Sequence, residues 1–133
     1  MNIARVSKLL GLTNWQEEEA TVEVSTAALK RLISRAYPAQ MEFDEDWYRE
    51  TYPDVDQSIT DGTIKSAQEH FIHNGFYENR LPSSKLFDSK YYYQANEDIQ
   101  TAFRSNDKNK LFDHYIKAGI TEGRAPNKDS ENI

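Results

Sequence analysis

"GFYENRLP", Gly75–Pro82, returns 44 residues later as "GITEGRAP", Gly119–Pro126. Each phrase closely follows a histidine–aromatic–isoleucine triplet, His70-Phe71-Ile72 in the first case and His114-Tyr115-Ile116 in the second. Extending the comparison aligns Phe43 to Pro82 with Phe87 to Pro126 without a gap, and ten of the 40 pairs are identical. Unrelated segments of ordinary composition share about two or three. The identities include Asp44/Asp88, Tyr48/Tyr92, Asp54/Asp98, His70/His114, Glu78/Glu122 and Arg80/Arg124, and pairs such as Trp47/Tyr91 and Phe71/Tyr115 keep their chemistry. A tandem duplication accounts for this, so the fold is decided by one unit of about 44 residues used twice.

Each copy reads as three short helices. Asp44 and Asp88 are N-caps for the first, with Phe43 and Phe87 just before them. Pro53 stops that helix and starts the second at its first position, and Asn96 is the corresponding cap in the other copy. Val55 with Ile59, and Ile99 with Phe103, give the second helix its buried edge. Ala67, His70, Phe71 and Asn74, matched by Leu111, His114, Tyr115 and Ala118, form the apolar stripe of the third. Gly75 and Gly119 follow that stripe where a left-handed residue ends a helix, and Pro82 and Pro126 prevent its resumption. Arg80 faces Asp44 or Asp54 as ion-pair partner, and Arg124 faces Asp88 or Asp98. The expected fold is all-α: two tandem three-helix units, 43–82 and 87–126 within a domain of residues 41–127, packed together.

Residues 1–40 follow another pattern. Ile3, Val6, Leu9 and Leu10 make a short amphipathic helix, Gly11 and "TNWQEEEATVE" an acidic connector. Ser25 then caps a second helix with Leu29, Leu32, Ile33 and Ala36 on one side, ending near Tyr37-Pro38. Residues 128–133 read as a frayed tail.

With a net charge of -6 and 29% charged residues, the chain is soluble and poorly matched to nucleic acid or an anionic surface. The absence of cysteine removes disulfides and thiolate metal sites. Charges interrupt the apolar start of the chain, and no stretch is long enough to span a bilayer, so a cytoplasmic location is expected, peripheral to the inner membrane only through a partner.

The chemistry-bearing residues read mainly as packing. His70 and His73 lie one turn apart, but Lys117 stands where a second copy of that pair needs its other histidine, so no metal site is expected. "EFDED" and "DVDQSITDG" lack the ligand spacing of a calcium loop. None of the nucleophile-elbow, phosphate-loop, dinucleotide or zinc-protease motifs occurs, and the expectation is a non-enzyme without cofactor. Fourteen of the 16 aromatic residues lie between Phe43 and Tyr115. Most are expected in the core. Tyr77 and Tyr93 do not recur, and with Trp15 and Tyr52 they are the candidates for a glycan-stacking or protein-contact surface, where Arg80 and Arg124 would meet acidic substituents.

"FDEDWYRETYPDV", "EHFIHNGFYENRLPS", "FDSKYYYQANEDI" and "DHYIKAGITEGRAPN" resemble a bacterial helical repeat with an F-D-x-x-x-Y opening, an N-P-D-V turn, an H-Y-x-x-x-G helix end and an E-G-R-x-P close. Such units occur beside glycosyltransferase domains of capsule and exopolysaccharide loci and in large secreted calcium-binding repeat proteins. Catalysis there belongs to the accompanying domains. For residues 43–127 the resemblance therefore implies a setting in cell-surface polysaccharide production or recognition. The expected partner is a protein of that synthesis or export system, such as a glycosyltransferase or synthase, docked through Ile3, Val6, Leu9 and Leu10. Direct glycan binding and self-association of unfinished repeat ends are the alternatives.

Overall fold

Caps and stops place the helices. The structure is a computed structural model that describes residues 3–11 and 21–131, and among them it is all-α, with no strand. The chain divides into two compact units, Met1–Met41 and Glu42–Ile133.

The first unit holds α1 (Ile3–Leu10) and α2 (Thr26–Ala36), followed by a single 3-10 turn at Pro38–Gln40. Ser25 caps α2 as expected, its hydroxyl accepting from Ala28 N at 3.1 Å. The apolar stripe expected on α2 needs correcting: Ala28 and Ser34 are its buried residues, whereas Leu29 is 43% exposed and Ala36 lies in solvent.

The second unit runs α3 (Glu45–Thr51), α4 (Pro53–Thr60), α5 (Ala67–His73), α6 (Ser89–Ala95), α7 (Glu97–Phe103), α8 (Lys108–His114) and α9 (Lys128–Glu131). Asp44 Oδ1 accepts from Trp47 N at 3.0 Å, and Asp88 Oδ1 from Tyr91 N at 2.9 Å, satisfying one orphan donor at each helix start. The preceding phenylalanines complete hydrophobic staples, with Phe43 5.0 Å from Tyr48 and Phe87 5.3 Å from Tyr92 between ring centroids. Pro53 begins α4 at its first turn. At the matching position Asn96 is the residue before α7, but its side chain makes no cap bond. Its Nδ2 donates back to Tyr92 O at 2.8 Å instead.

The third helices start differently. In the first copy the Glu45 carboxylate accepts from Ala67 N and Gln68 N, at 2.9 and 3.2 Å, and Ser66 caps Glu69. Ser89, the counterpart of Glu45, has no such reach, and Asp107 caps α8 locally through Asn109 N and Lys110 N. The stripes bury Ala67 and Phe71, and Leu111 and Tyr115, while Asn74, expected on the inner face, is exposed. Beyond α5 the chain tightens into a 3-10 turn at Gly75–Glu78, and beyond α8 it widens into a π-helical turn at Tyr115–Gly119.

Each copy is closed on itself by backbone: Asp44 N donates to Pro82 O and Asp88 N to Pro126 O, both at 3.0 Å. Side chains of the two copies also meet. Leu81 lies in one buried cluster with Phe87, Tyr92, Ile99, Leu111 and Tyr115, Trp47 packs on Phe112 with ring centroids 5.7 Å apart, and Tyr115 Oη donates to Asn79 O at 3.4 Å. Of the tail read above as frayed, Lys128–Glu131 form α9, where Asn127 Oδ1 accepts from Ser130 N at 2.9 Å, and residues 132–133 lie outside the description. Among the described residues no helix is long and apolar enough to cross a membrane.

Candidate functional site

The histidines come first, because they are the residues most suited to chemistry. Tyr48 Oη meets His70 Nδ1 at 3.1 Å, and Tyr92 Oη meets His114 Nδ1 at 2.9 Å. Each tyrosine reaches its imidazole because it arrives fully buried from the first helix of the same copy. Burial lowers the pKa of His70 and raises that of Tyr48, and raises that of Tyr92 to about 12. His73 is exposed.

The tyrosine hydroxyl also explains the repeated glycine. A Cβ built on Gly119 would lie 2.5 Å from Tyr92 Oη, and one on Gly75 would lie closer still to Tyr48 Oη. Neither glycine has a positive φ, so the left-handed helix end expected there is corrected. Within the two repeated phrases the left-handed residues are Asn79 (φ 58°) and Gly123 (φ 70°), the middle positions of E-N-R and E-G-R. This twist turns the chain so that the next residue aims its guanidinium back across its own copy.

There the expected ion pairs form with Asp54 and Asp98. Arg80 donates from Nη1 and Nη2 to Asp54 at 2.9 and 2.7 Å and from Nε to Glu78 at 2.6 Å. Arg124 repeats this on Asp98 at 2.8 and 2.7 Å and on Glu122 at 2.6 Å. The arginine hydrogen bonds hold Asp54 below the usual carboxylate range and bring Asp98 down to about 2. The arginine side chains are 19% and 20% exposed, with their planar forks engaged by two carboxylates each. In the structure both arginines brace their own copy.

The tyrosine candidates separate. Tyr52 is 5% exposed, accepts from Leu81 N at 2.9 Å through Oη, and carries the Arg80 guanidinium over its ring at 5.0 Å, so a sugar has no access to it. Tyr77 is half-buried beside Phe76 with centroids 5.3 Å apart, and Tyr93 is half-buried against the second copy's core. Trp15 lies outside the described residues.

At the amino-terminal end Val6 and Leu9 line a groove of about 310 Å³ between α1 and α2, together with Arg5, Arg31, Leu32 and Arg35. Leu10 is half-buried and lies away from that lining, and the side chain of Ile3 is outside the description. The arginines were missed because charge was read over the whole chain. Neither α1 nor α2 contains an aspartate or glutamate beside its lysines and arginines, a signal open to helix-by-helix reading. Among the described residues the exposed large hydrophobics, Val22 (43%), Leu29 (43%) and Tyr37 (52%), all belong to this unit as well.

Comparison with protein-family models, curated proteins and solved structures finds no match.

Proposed function

We propose that the chain is a non-catalytic interaction module in which the duplicated helical block is scaffold and the amino-terminal helical unit is the contact for a partner protein. The sequence resemblance supplies the setting, a bacterial system that makes or exports a cell-surface polysaccharide. One observation carries the division of labour: the exposed large hydrophobic side chains among the described residues fall in the first unit. The motif residues of the second are engaged with one another. Scattered exposed apolar residues are ordinary on a protein surface, but the same unit also holds the groove floored by Val6, Leu9 and Leu32, and a concave apolar feature is the usual form of a binding face.

The test is capture from the native host with the full chain as bait, compared with a Val6→Asp/Leu9→Asp variant. A glycosyltransferase, synthase or export component retained by the parent and lost by the variant is the expected result. Recovery of no such component by the parent overturns the polysaccharide setting, and equal recovery by both overturns the docking role of α1.

A further inference from the structure

The charges of the chain are sorted by unit. Residues 42–133 hold 18 carboxylates against 11 lysines and arginines, a net -7, which leaves residues 1–41 at +1 within the chain's -6. On α1 and α2 themselves every charged side chain is cationic. The groove between them adds a more specific feature: its cationic lining is Arg5, Arg31 and Arg35, while Lys8 and Lys30 lie outside it. A diffuse anionic field attracts lysine and arginine alike. A guanidinium differs in presenting a planar fork that pairs two oxygens at once. Arg31 and Arg35 beside Val6, Leu9 and Leu32 describe a slot for carboxylates flanking apolar side chains. At about 310 Å³ the slot takes a few side chains and not a large ligand.

We infer that the groove between α1 and α2 seats an acidic amphipathic helix of the partner protein. Its carboxylates pair with Arg31 and Arg35, and its apolar side chains lie on Val6, Leu9 and Leu32. The inference rests on the reading of the first unit as the contact and names the chemistry of what it contacts. A bilayer is the poorer fit, because the feature is concave and a flat surface reaches the rims of a groove but not its floor.

The probe is a fluorescein-labelled peptide of about 16 residues, long enough to populate a helix, with leucines on one face and glutamates flanking them. Anisotropy titration with the full chain is expected to give saturable binding, weakened at least about tenfold between about 0.05 and 0.5 M salt. Arg31→Glu/Arg35→Glu is expected to weaken it by about tenfold or more with unchanged circular dichroism, and to gain affinity for the same peptide carrying lysine for glutamate. That reversal separates charge pairing from damage to the fold.

No binding of the acidic peptide, with Val6→Asp/Leu9→Asp still losing the captured partner, overturns the acidic-helix inference and leaves the contact reading standing. Equal capture by parent and variant sinks the contact reading itself. Binding to phosphatidylglycerol vesicles that the peptide does not displace overturns the inference in favour of a lipid surface. Concentration-dependent dimerisation lost in Arg31→Glu/Arg35→Glu overturns it in favour of a second copy.

Discussion

Tyr48 and His70, 22 residues apart in sequence, share a hydrogen bond whose counterpart 44 residues on joins Tyr92 to His114. In both copies this bond ties the first helix to the third. It is made of groups that elsewhere do acid–base work, and its recurrence with a buried tyrosine explains why a histidine occupies the inner edge of a helix. Burial favours the uncharged imidazole of His70.

That preference gives stability a pH dependence with a definite sign. The folded pKa of His70 is lowered, so below the ordinary value of about 6.5 the unfolded chain binds more protons than the folded one. Stability is therefore full above that value and declines as pH falls towards the folded pKa. Thermal melts between about pH 7.5 and 5 are expected to show this slope in the parent and a smaller one in His70→Gln; identical slopes would remove His70 as its source.

The two kinds of glycine respond differently to alanine. Gly75→Ala forces a Cβ into Tyr48 Oη and is expected to cost about 1–3 kcal/mol, by overpacking. Tyr48→Phe removes the obstructing oxygen, so the double variant is less destabilised than the sum of the singles. Gly123→Ala meets nothing within 4 Å but holds φ at 70°, and is expected to cost about 1–2 kcal/mol through backbone strain alone. Gly123→Asn is expected to be milder, because Asn79 already adopts this conformation in the other copy. Chemical denaturation of the variants measures all of these, and additive effects at Gly75 and Tyr48 would refute the steric account.

Arg80 holds Asp54 bidentately and stacks over Tyr52. With the carboxylate largely in solvent, Arg80→Ala is expected to cost about 1 kcal/mol, and Arg80→Lys to recover little of it because a point charge cannot reproduce the fork. The carboxylate pKa values are depressed, so the stabilisation from Asp54 and Asp98 is present above the ordinary value of about 3.8 and is lost as pH falls through the folded values, about 2 for Asp98. Acid unfolding of Arg80→Ala should set in at higher pH than that of the parent; coincident curves would dismiss the pair as a stabiliser.

The join between copies uses residues that the repeat does not duplicate. Trp47, Leu81 and Phe112 meet there, and their counterparts are Tyr91, Ala125 and Gln68. Smaller or more polar side chains at the outer ends discourage a third layer. Gln68→Phe with Ala125→Leu is expected to make the chain associate with increasing concentration in sedimentation velocity while the parent does not; an unchanged sedimentation coefficient would show that these positions do not guard the ends.

Most of the helical frame was legible because its signals are local. Asp44, Asp88, Ser25 and Pro53 act within one turn, and a 44-residue period doubles every such signal. The role of Gly75 was not, since glycine after an apolar stripe and before a proline fits a left-handed helix end equally well, and only the arrival of Tyr48 from 27 positions earlier separates the two causes. Tyr52 misled for a related reason. Its contacts with Leu81 N and Arg80 come from distant sequence, and the second copy replaces the stacking on arginine by a hydrogen bond from Arg124 to Asn96. The arginine groove was hidden by averaging, because a net charge describes a chain and a groove is made by a few neighbours.

The bond from Asp44 N to Pro82 O, and its partner from Asp88 N to Pro126 O, bring the entrance and exit of each block side by side. A gene segment encoding such a block can be copied in tandem and the product still folds, since the newcomer begins where its predecessor leaves off and needs no redesigned linker. Growth by whole blocks is thus an evolutionary path written into the backbone.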